Sequence, residues 1–225
     1  MSAEMKESIR PRAILLKPGH LERDGGGNIL DARSSVTLIL TPSKKIVVDT
    51  GLEDEARQIL GRLAELGLSP EDVDLVINTH DHPDHCGNNR LFTRAQILSG
   101  KVGGKGEGGL KEGVVVASGV WIMETPGHTL DSISVVCESF RRIVVAGDAL
   151  PLMGNYLKWV PPRLHVDRDL AMKSMARIVE AADLVVPGHD LPFLVRDRAR
   201  ATDLSLRPFH SDDLRHPIFL LKMYP

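Results

Sequence analysis

Thr79-His80-Asp81-His82-Pro83-Asp84-His85-Cys86-Gly87-Asn88 packs four metal-capable side chains into six residues, directly after the apolar run at residues 74–78. Neutral imidazole suits zinc or iron, and an added carboxylate supplies the negative charge that holds a second divalent ion. A loop leaving the end of a buried strand can turn such groups inward together, and Pro83 and Gly87 fit its tight, non-repetitive backbone. A solvated surface loop has no need of this composition. The run therefore reads as part of a metal site, and its other ligands must come from elsewhere in the chain.

Three such ligands stand in matching settings: His128 in Thr125-Pro126-Gly127-His128-Thr129, Asp148 in Val145-Ala146-Gly147-Asp148, and His189 in Val186-Pro187-Gly188-His189. Each ends a hydrophobic strand and follows a glycine, which permits a sharp turn and a close approach of backbone to an ion. A lone His or Asp at a strand end more often caps it or faces water. Three of them at the ends of apolar runs, with the histidine cluster, make a constellation.

The surrounding chain supplies a scaffold. Apolar runs at 13–17, 36–40 and 45–49, separated by the turn chemistry of Gly25-Gly26-Gly27-Asn28 and Thr41-Pro42-Ser43, read as a β-meander. Ala56, Ile59, Leu60, Leu63 and Leu66 recur at three- and four-residue spacing, an amphipathic helix over 53–66 that Gly67 ends. After the cluster come a short helical piece at 88–94, a strand at 96–98, and a glycine-rich segment, 100–113, that reads as a loop without core and, more sharply, as a lid. Strands resume at 114–117, 120–124, 132–137 and 142–146, then a helix at 169–182 and a strand at 183–186. Two β-rich halves that each carry helices pack naturally as a four-layer αββα sandwich in the α/β class, as a single domain over residues 1–225.

Composition excludes several classes. With 42% hydrophobic and 26% charged residues, the 225-residue chain is globular rather than disordered. Its 28 basic and 30 acidic residues leave a formal charge of -2, so no global field draws it to nucleic acid or membrane. Two cysteines, Cys86 and Cys137, are too few for a disulfide framework, and residues 1–12 lack the apolar core of a secretory signal, so the expected location is cytoplasmic with no membrane association. The apolar stretch 217–224 packs either on its own core or on a second copy, making a homodimer.

The four segments, in order, resemble the signature of the metallo-β-lactamase superfamily, His-x-His-x-Asp-His followed by His, Asp and His, over residues 80–189. The resemblance implies the αββα sandwich, with two zinc ions, or iron or manganese in their place. His80, His82 and His128 would hold one ion, Asp84, His85 and His189 the other, and Asp148 would bridge them. It implies a hydrolase in which a metal-bridging hydroxide, oriented by Asp84 acting as a catalytic residue, attacks an ester, thioester, lactone or phosphodiester. The Asp84-His85 pair is similar to glyoxalase II, lactonase and RNA-processing branches, whereas Asp148 stands where classical antibiotic-degrading members often carry cysteine. Residues 125–136 and 186–193 look like the metallo-β-lactamase domain-containing protein 1 family, whose proposed role in RNA cleavage keeps a compact ribonuclease and an RNA partner in view beside a small-molecule substrate.

Two other classes compete. Ala146-Gly147-Asp148-Ala149-Leu150 resembles persulfide dioxygenases that carry one iron, although the Gly-Arg-Thr-Asp-Phe-like stretch of that branch is missing. A metal-stabilised binding protein without turnover is the third. On the substrate side, Asn155, Tyr156, Lys158 and Arg163 follow the strand end bearing Asp148. A phenol at Tyr156 could polarise a carbonyl as a second catalytic group, and Lys158 or Arg163 could attract an anion. The plainer reading is that Tyr156 and Trp159 pack a loop against the sandwich. Cys86 reads as a packed thiol, and His20, His165, His210 and His216 as surface or capping residues.

Overall fold

A computed structural model describes residues 10–101 and 109–195, all within a unit that runs through Val195. The expectation of one domain over 1–225 is therefore described only to that point, and the dimer expectation at 217–224 lies outside the described residues.

The fold follows from strands that are apolar on both faces. The strands are β1 (Arg12–Lys17), β2 (His20–Arg23), β3 (Ile29–Arg33), β4 (Val36–Leu40), β5 (Lys45–Val48), β6 (Leu75–Asn78), β7 (Gln96–Ser99), β8 (Val115–Ala117), β9 (Val120–Glu124), β10 (Ile133–Glu138), β11 (Arg142–Gly147), β12 (Leu184–Pro187) and β13 (Phe193–Leu194). Successive residues of a strand point to opposite faces. Ile46 and Val48 accordingly enter one apolar cluster while Val47 enters another, and Leu75 and Ile77 part from Val76 in the same way. On the other side Ile143 and Val145 share the first cluster, whereas Val144 and Ala146 join a third. A sheet with two apolar faces needs a cover on both.

The covers are a second sheet inside and helices outside. One sheet runs β1-β4-β5-β6-β7 and the other β13-β12-β11-β10-β9-β8, with the shared cluster between them. Helix α1 (Ala56–Glu65) lays Ile59 and Leu63 on the outer face of the first sheet. Two short helices follow, α2 (Pro83–Cys86) and α3 (Met153–Lys158), and then α4 (Arg168–Ala181), which lays Met175 and Ile178 on the outer face of the second. The Asp167 carboxylate caps α4 by accepting from Asp169 N and Leu170 N, both at 2.9 Å. This is the αββα sandwich.

Three local expectations change. A hairpin, β2–β3, interrupts the meander formed by β1, β4 and β5. The helical piece after the histidine run is only a 3-10 turn, Asn89–Leu91. In the glycine-rich segment, Leu110 is buried in the inter-sheet core and its N–H donates to Ser99 O at 2.8 Å, so that end does pack. The lid expectation for 100–113 falls partly on residues 102–108, outside the described residues.

Candidate metal centre

Strand direction gathers the site. β5 and β6 are parallel, as are β11 and β12, and β9 points the same way as β11 because both are antiparallel to β10. The C-terminal ends of β5, β6, β9, β11 and β12 thus lie at one end of the sandwich, where both sheets are stitched by Ile133 N donating to Thr79 O (2.9 Å) and Ser35 Oγ donating to Pro187 O (2.8 Å). Asp49, the histidine run, His128, Asp148 and His189 are the residues that leave those ends.

All seven sequence-derived ligand candidates converge. His80, His82, His128 and Asp148 form one group of potential ligand atoms and Asp84, His85 and His189 another, the atoms of each lying within 4.8 Å of one another. The Asp148 carboxylate stands between the groups. Its Oδ1 is 3.1 Å from His189 Nε2 and 3.4 Å from His85 Nε2, and its Oδ2 is 3.4 Å from His128 Nε2. Asp84 Oδ2, on the first turn of α2, is 3.5 Å from His189 Nε2.

Hydrogen bonds on the far side of each ring decide which nitrogen faces inward. His128 Nδ1 donates to Leu164 O (2.8 Å) and His189 Nδ1 to Arg33 O (3.0 Å); a carbonyl only accepts, so in each neutral ring Nε2 carries the lone pair. His85 Nδ1 donates to Asp49 Oδ2 at 2.8 Å. The Thr79 hydroxyl donates to the same carboxylate (2.9 Å) and is left to accept from His80 Nδ1 (3.2 Å).

Inward, His82 Nδ1 lies 2.9 Å from His80 Nε2 and 3.0 Å from His128 Nε2. Lone pairs aimed at one another repel unless something positive lies between them. A neutral His82 can place its one N–H there, but a further proton is disfavoured: burial, then the neighbouring His85, holds His80 well below the ordinary imidazole range, and burial, then His128, lowers His82. In the second group, burial opposes charging of His85, His189 and Asp148. Asp49 and Asp148 nevertheless raise His85 and Asp148 raises His189, while those two imidazoles hold the Asp148 carboxyl well below the usual carboxylate range. His85 Nε2 and Asp148 Oδ1 are buried atoms without a hydrogen-bond partner. Borderline nitrogen donors, carboxylates and two such buried atoms fit divalent metal binding.

The glycines do the work expected of them. A Cβ at Gly188 would collide with Asp148 Oδ1, and one at Gly147, which sits at φ +52°, would collide with Thr79 Oγ1. Asp49 occupies the left-handed region at φ 57°, a conformation Asp tolerates better than most residues, and Thr79 N also donates to its Oδ1 at 2.7 Å. Asp49 was legible only as a strand end; its polar position after three apolar residues and before Thr50-Gly51 was the available signal.

Of the substrate-side candidates, Asn155, Tyr156 and Lys158 lie on α3 and Arg163 follows it. Tyr156 packs on the outer face of the second sheet, its ring stacked on Phe193 with centroids 5.4 Å apart. Asn155 is buried and donates to Val160 O and Pro161 O, at 3.2 and 2.9 Å, which folds the chain back after α3. Lys158 and Arg163 are exposed, Arg163 lying against Gly27 at the tip of the β2–β3 hairpin and next to the Leu164 carbonyl that orients His128. Cys86 is half-buried, with its thiol toward Asp81 O at 3.7 Å, and burial raises its pKa. Burial in the core pushes the Cys137 thiol up to about 12.

Known proteins resemble this chain in the same terms. Residues 31–103 match the family model described as metallo-beta-lactamase superfamily. A protein named probable metallo-hydrolase from Methanocaldococcus jannaschii is 43% identical over 146 residues, 64% of this chain and 70% of the relative. Metallo-beta-lactamase domain-containing protein 1 of Mus musculus is 34% identical, across 84% of this chain and 86% of its own. Among solved structures, an N-acyl homoserine lactone hydrolase with its product N-hexanoyl-L-homoserine at the catalytic metal centre superposes with a TM-score of 0.61 at 22% identity, covering 76% of this chain and 87% of that one, a likeness of fold.

Proposed function

Because the chain belongs to the metallo-beta-lactamase superfamily of metal-dependent hydrolases, we propose that it hydrolyses a small ester, thioester or lactone at a dinuclear zinc centre. The observation that carries this reading is the Asp148 carboxylate, nearly buried and within 3.4 Å of nitrogen donors of both groups. His80, His82 and His128 would hold one ion and Asp84, His85 and His189 the other, with Asp148 available to both. When bound, two divalent ions acidify a water and polarise a carbonyl or phosphoryl oxygen.

The chain's own residues do the rest. His80 and His82, whose pKa values burial lowers, present lone pairs without first losing a proton. Asp84, at the open side of its group and less buried than His85, accepts a hydrogen bond from the attacking water and aligns it with the scissile carbonyl. Thr79 and Asp49 keep the donor rings from rotating, so the polar groups are preorganised where charge develops. Tyr156, stacked on Phe193, anchors α3, and Arg163 is the exposed cation closest in sequence to the His128 support, suited to an anionic end of the substrate.

Elemental analysis of purified protein with a panel of esters, thioesters, lactones, phosphodiesters and a single-stranded RNA oligonucleotide tests this. The expected result is two zinc equivalents and ester or lactone turnover that a chelator abolishes and zinc restores. No turnover across the panel by zinc-loaded protein would refute it, and one iron with oxygen consumption on a persulfide would replace it by the dioxygenase reading.

A further inference from the structure

Three segments that support the Asp84, His85 and His189 group meet at one buried ion pair far from the histidine run in sequence. Lys17, the last residue of β1, and Glu55, which closes the 3-10 turn Glu53–Glu55 before α1, expose 3% and 6% of their side chains, with Nζ 2.9 Å from Oε1. Burial lowers the pKa of Lys17 and the bond to Glu55 opposes it. Desolvation consumes much of what such a pair gains, and an apolar pair of the same size often serves stability as well or better. Its role is better sought in what it holds.

From the lysine side, Nζ also donates to Pro18 O at 3.1 Å, and Gly19 lies so close on Gly188 and His189 that a Cβ there would overlap their backbone. From the glutamate side, Oε2 accepts Leu52 N at 2.9 Å, in the loop whose Gly51 O accepts Gly87 N (3.0 Å) and whose Thr50 N donates to His85 O (2.7 Å). That loop begins at Asp49, which grips the His85 ring. Glu55 Oε1 is also 3.6 Å from Arg33 Nη1, and the Arg33 carbonyl accepts from His189 Nδ1. One carboxylate is thus shared by the loop behind His85 and by both strands behind His189. His80 is reached from this pair through Asp49 and Thr79, and His128 rests on Leu164 O instead.

We infer that Lys17 and Glu55 are a positioning pair for one of the two metal positions, the one formed by Asp84, His85 and His189. The inference rests on the two-ion reading above. Zinc retention by the full-length chain, titrated with a chromogenic chelator, tests it in Lys17→Met, Glu55→Gln and the conservative Lys17→Arg, alongside the melting temperature of each metal-stripped protein. Changes behind a metal-ligating His typically weaken binding 10–100-fold; here Lys17→Met and Glu55→Gln should weaken one zinc equivalent roughly ten-fold while the other stays within about two-fold. Lys17→Arg should restore the weakened equivalent to within about three-fold of wild type, since it keeps the charge. Equal weakening of both equivalents in step with lost melting temperature, or no change in either, would overturn the inference. Uptake of two equivalents by wild type judges the two-ion reading separately, so the two failures are told apart.

Discussion

Asp49 shows how one residue outside the donor set governs it. Its carboxylate takes Thr79 N, Thr79 Oγ1 and His85 Nδ1 at once, which fixes two donor rings and the backbone entering the histidine run. Asp49→Asn isolates this role, because Asn accepts the left-handed backbone at φ 57° as readily as Asp. It leaves one amide oxygen where two carboxylate oxygens served three donors, and its NH2 would face His85 Nδ1–H. The expected outcome is zinc binding weaker by about 10–100-fold, with a far-ultraviolet circular dichroism spectrum like that of wild type. Unchanged zinc affinity by chelator competition would show that Asp49 does not orient the site.

At the scale of elements, period-2 runs apolar on both faces announced every strand of the two sheets except β13, usually to within a residue of its observed ends. The β2–β3 hairpin escaped because His20-Leu21-Glu22-Arg23 and Ile29-Leu30-Asp31-Ala32-Arg33 bury no continuous face; only the turn between them was legible. Helix α3 escaped because six residues give no repeat of a helical stripe, so the segment after Asp148 read as a loop offering side chains to a substrate. The seven ligand candidates were legible because metal binding demands rare residue types in a fixed order. Apart from Thr79, next to His80, the residues that orient them use common types far away in sequence, Asp49 for His85, Leu164 for His128 and Arg33 for His189, and leave no pattern. Tyr156 decides between the two readings of α3. If its ring anchors the helix on Phe193, Tyr156→Phe should keep kcat and KM within about two-fold, while Tyr156→Ala should destabilise by about 2–4 kcal/mol in urea unfolding through lost packing. A kcat loss above a hundred-fold in Tyr156→Phe, with stability kept, would return the phenol to catalysis.

For the whole molecule, the donors come from both sheets: His80, His82, Asp84 and His85 follow β6 of the first, whereas His128, Asp148 and His189 follow β9, β11 and β12 of the second. Ions held by both sets resist their separation, since an unfolded chain cannot offer the same geometry. Metal binding is then folding free energy. By mass action, free zinc at about 100 times its dissociation constant adds about 2.7 kcal/mol for each ion bound only by the folded state. For a domain of this size each kcal/mol moves the melting temperature by about 2–4 °C, so if two ions are bound, as proposed, stripping both should lower it by about 10–20 °C. The loss should be unevenly distributed. Amides near the donors that pair across the two sheets, such as Ile133 N on Thr79 O and Ser35 N on Gly188 O, should lose hydrogen-exchange protection in metal-free protein. Those of α1, which lays Ile59 and Leu63 on the outer face of the first sheet, should keep theirs. Equal melting temperatures with and without chelator, or uniform loss of protection through α1, would show that the sandwich is held by its apolar layers alone and that the donors contribute nothing to joining its sheets.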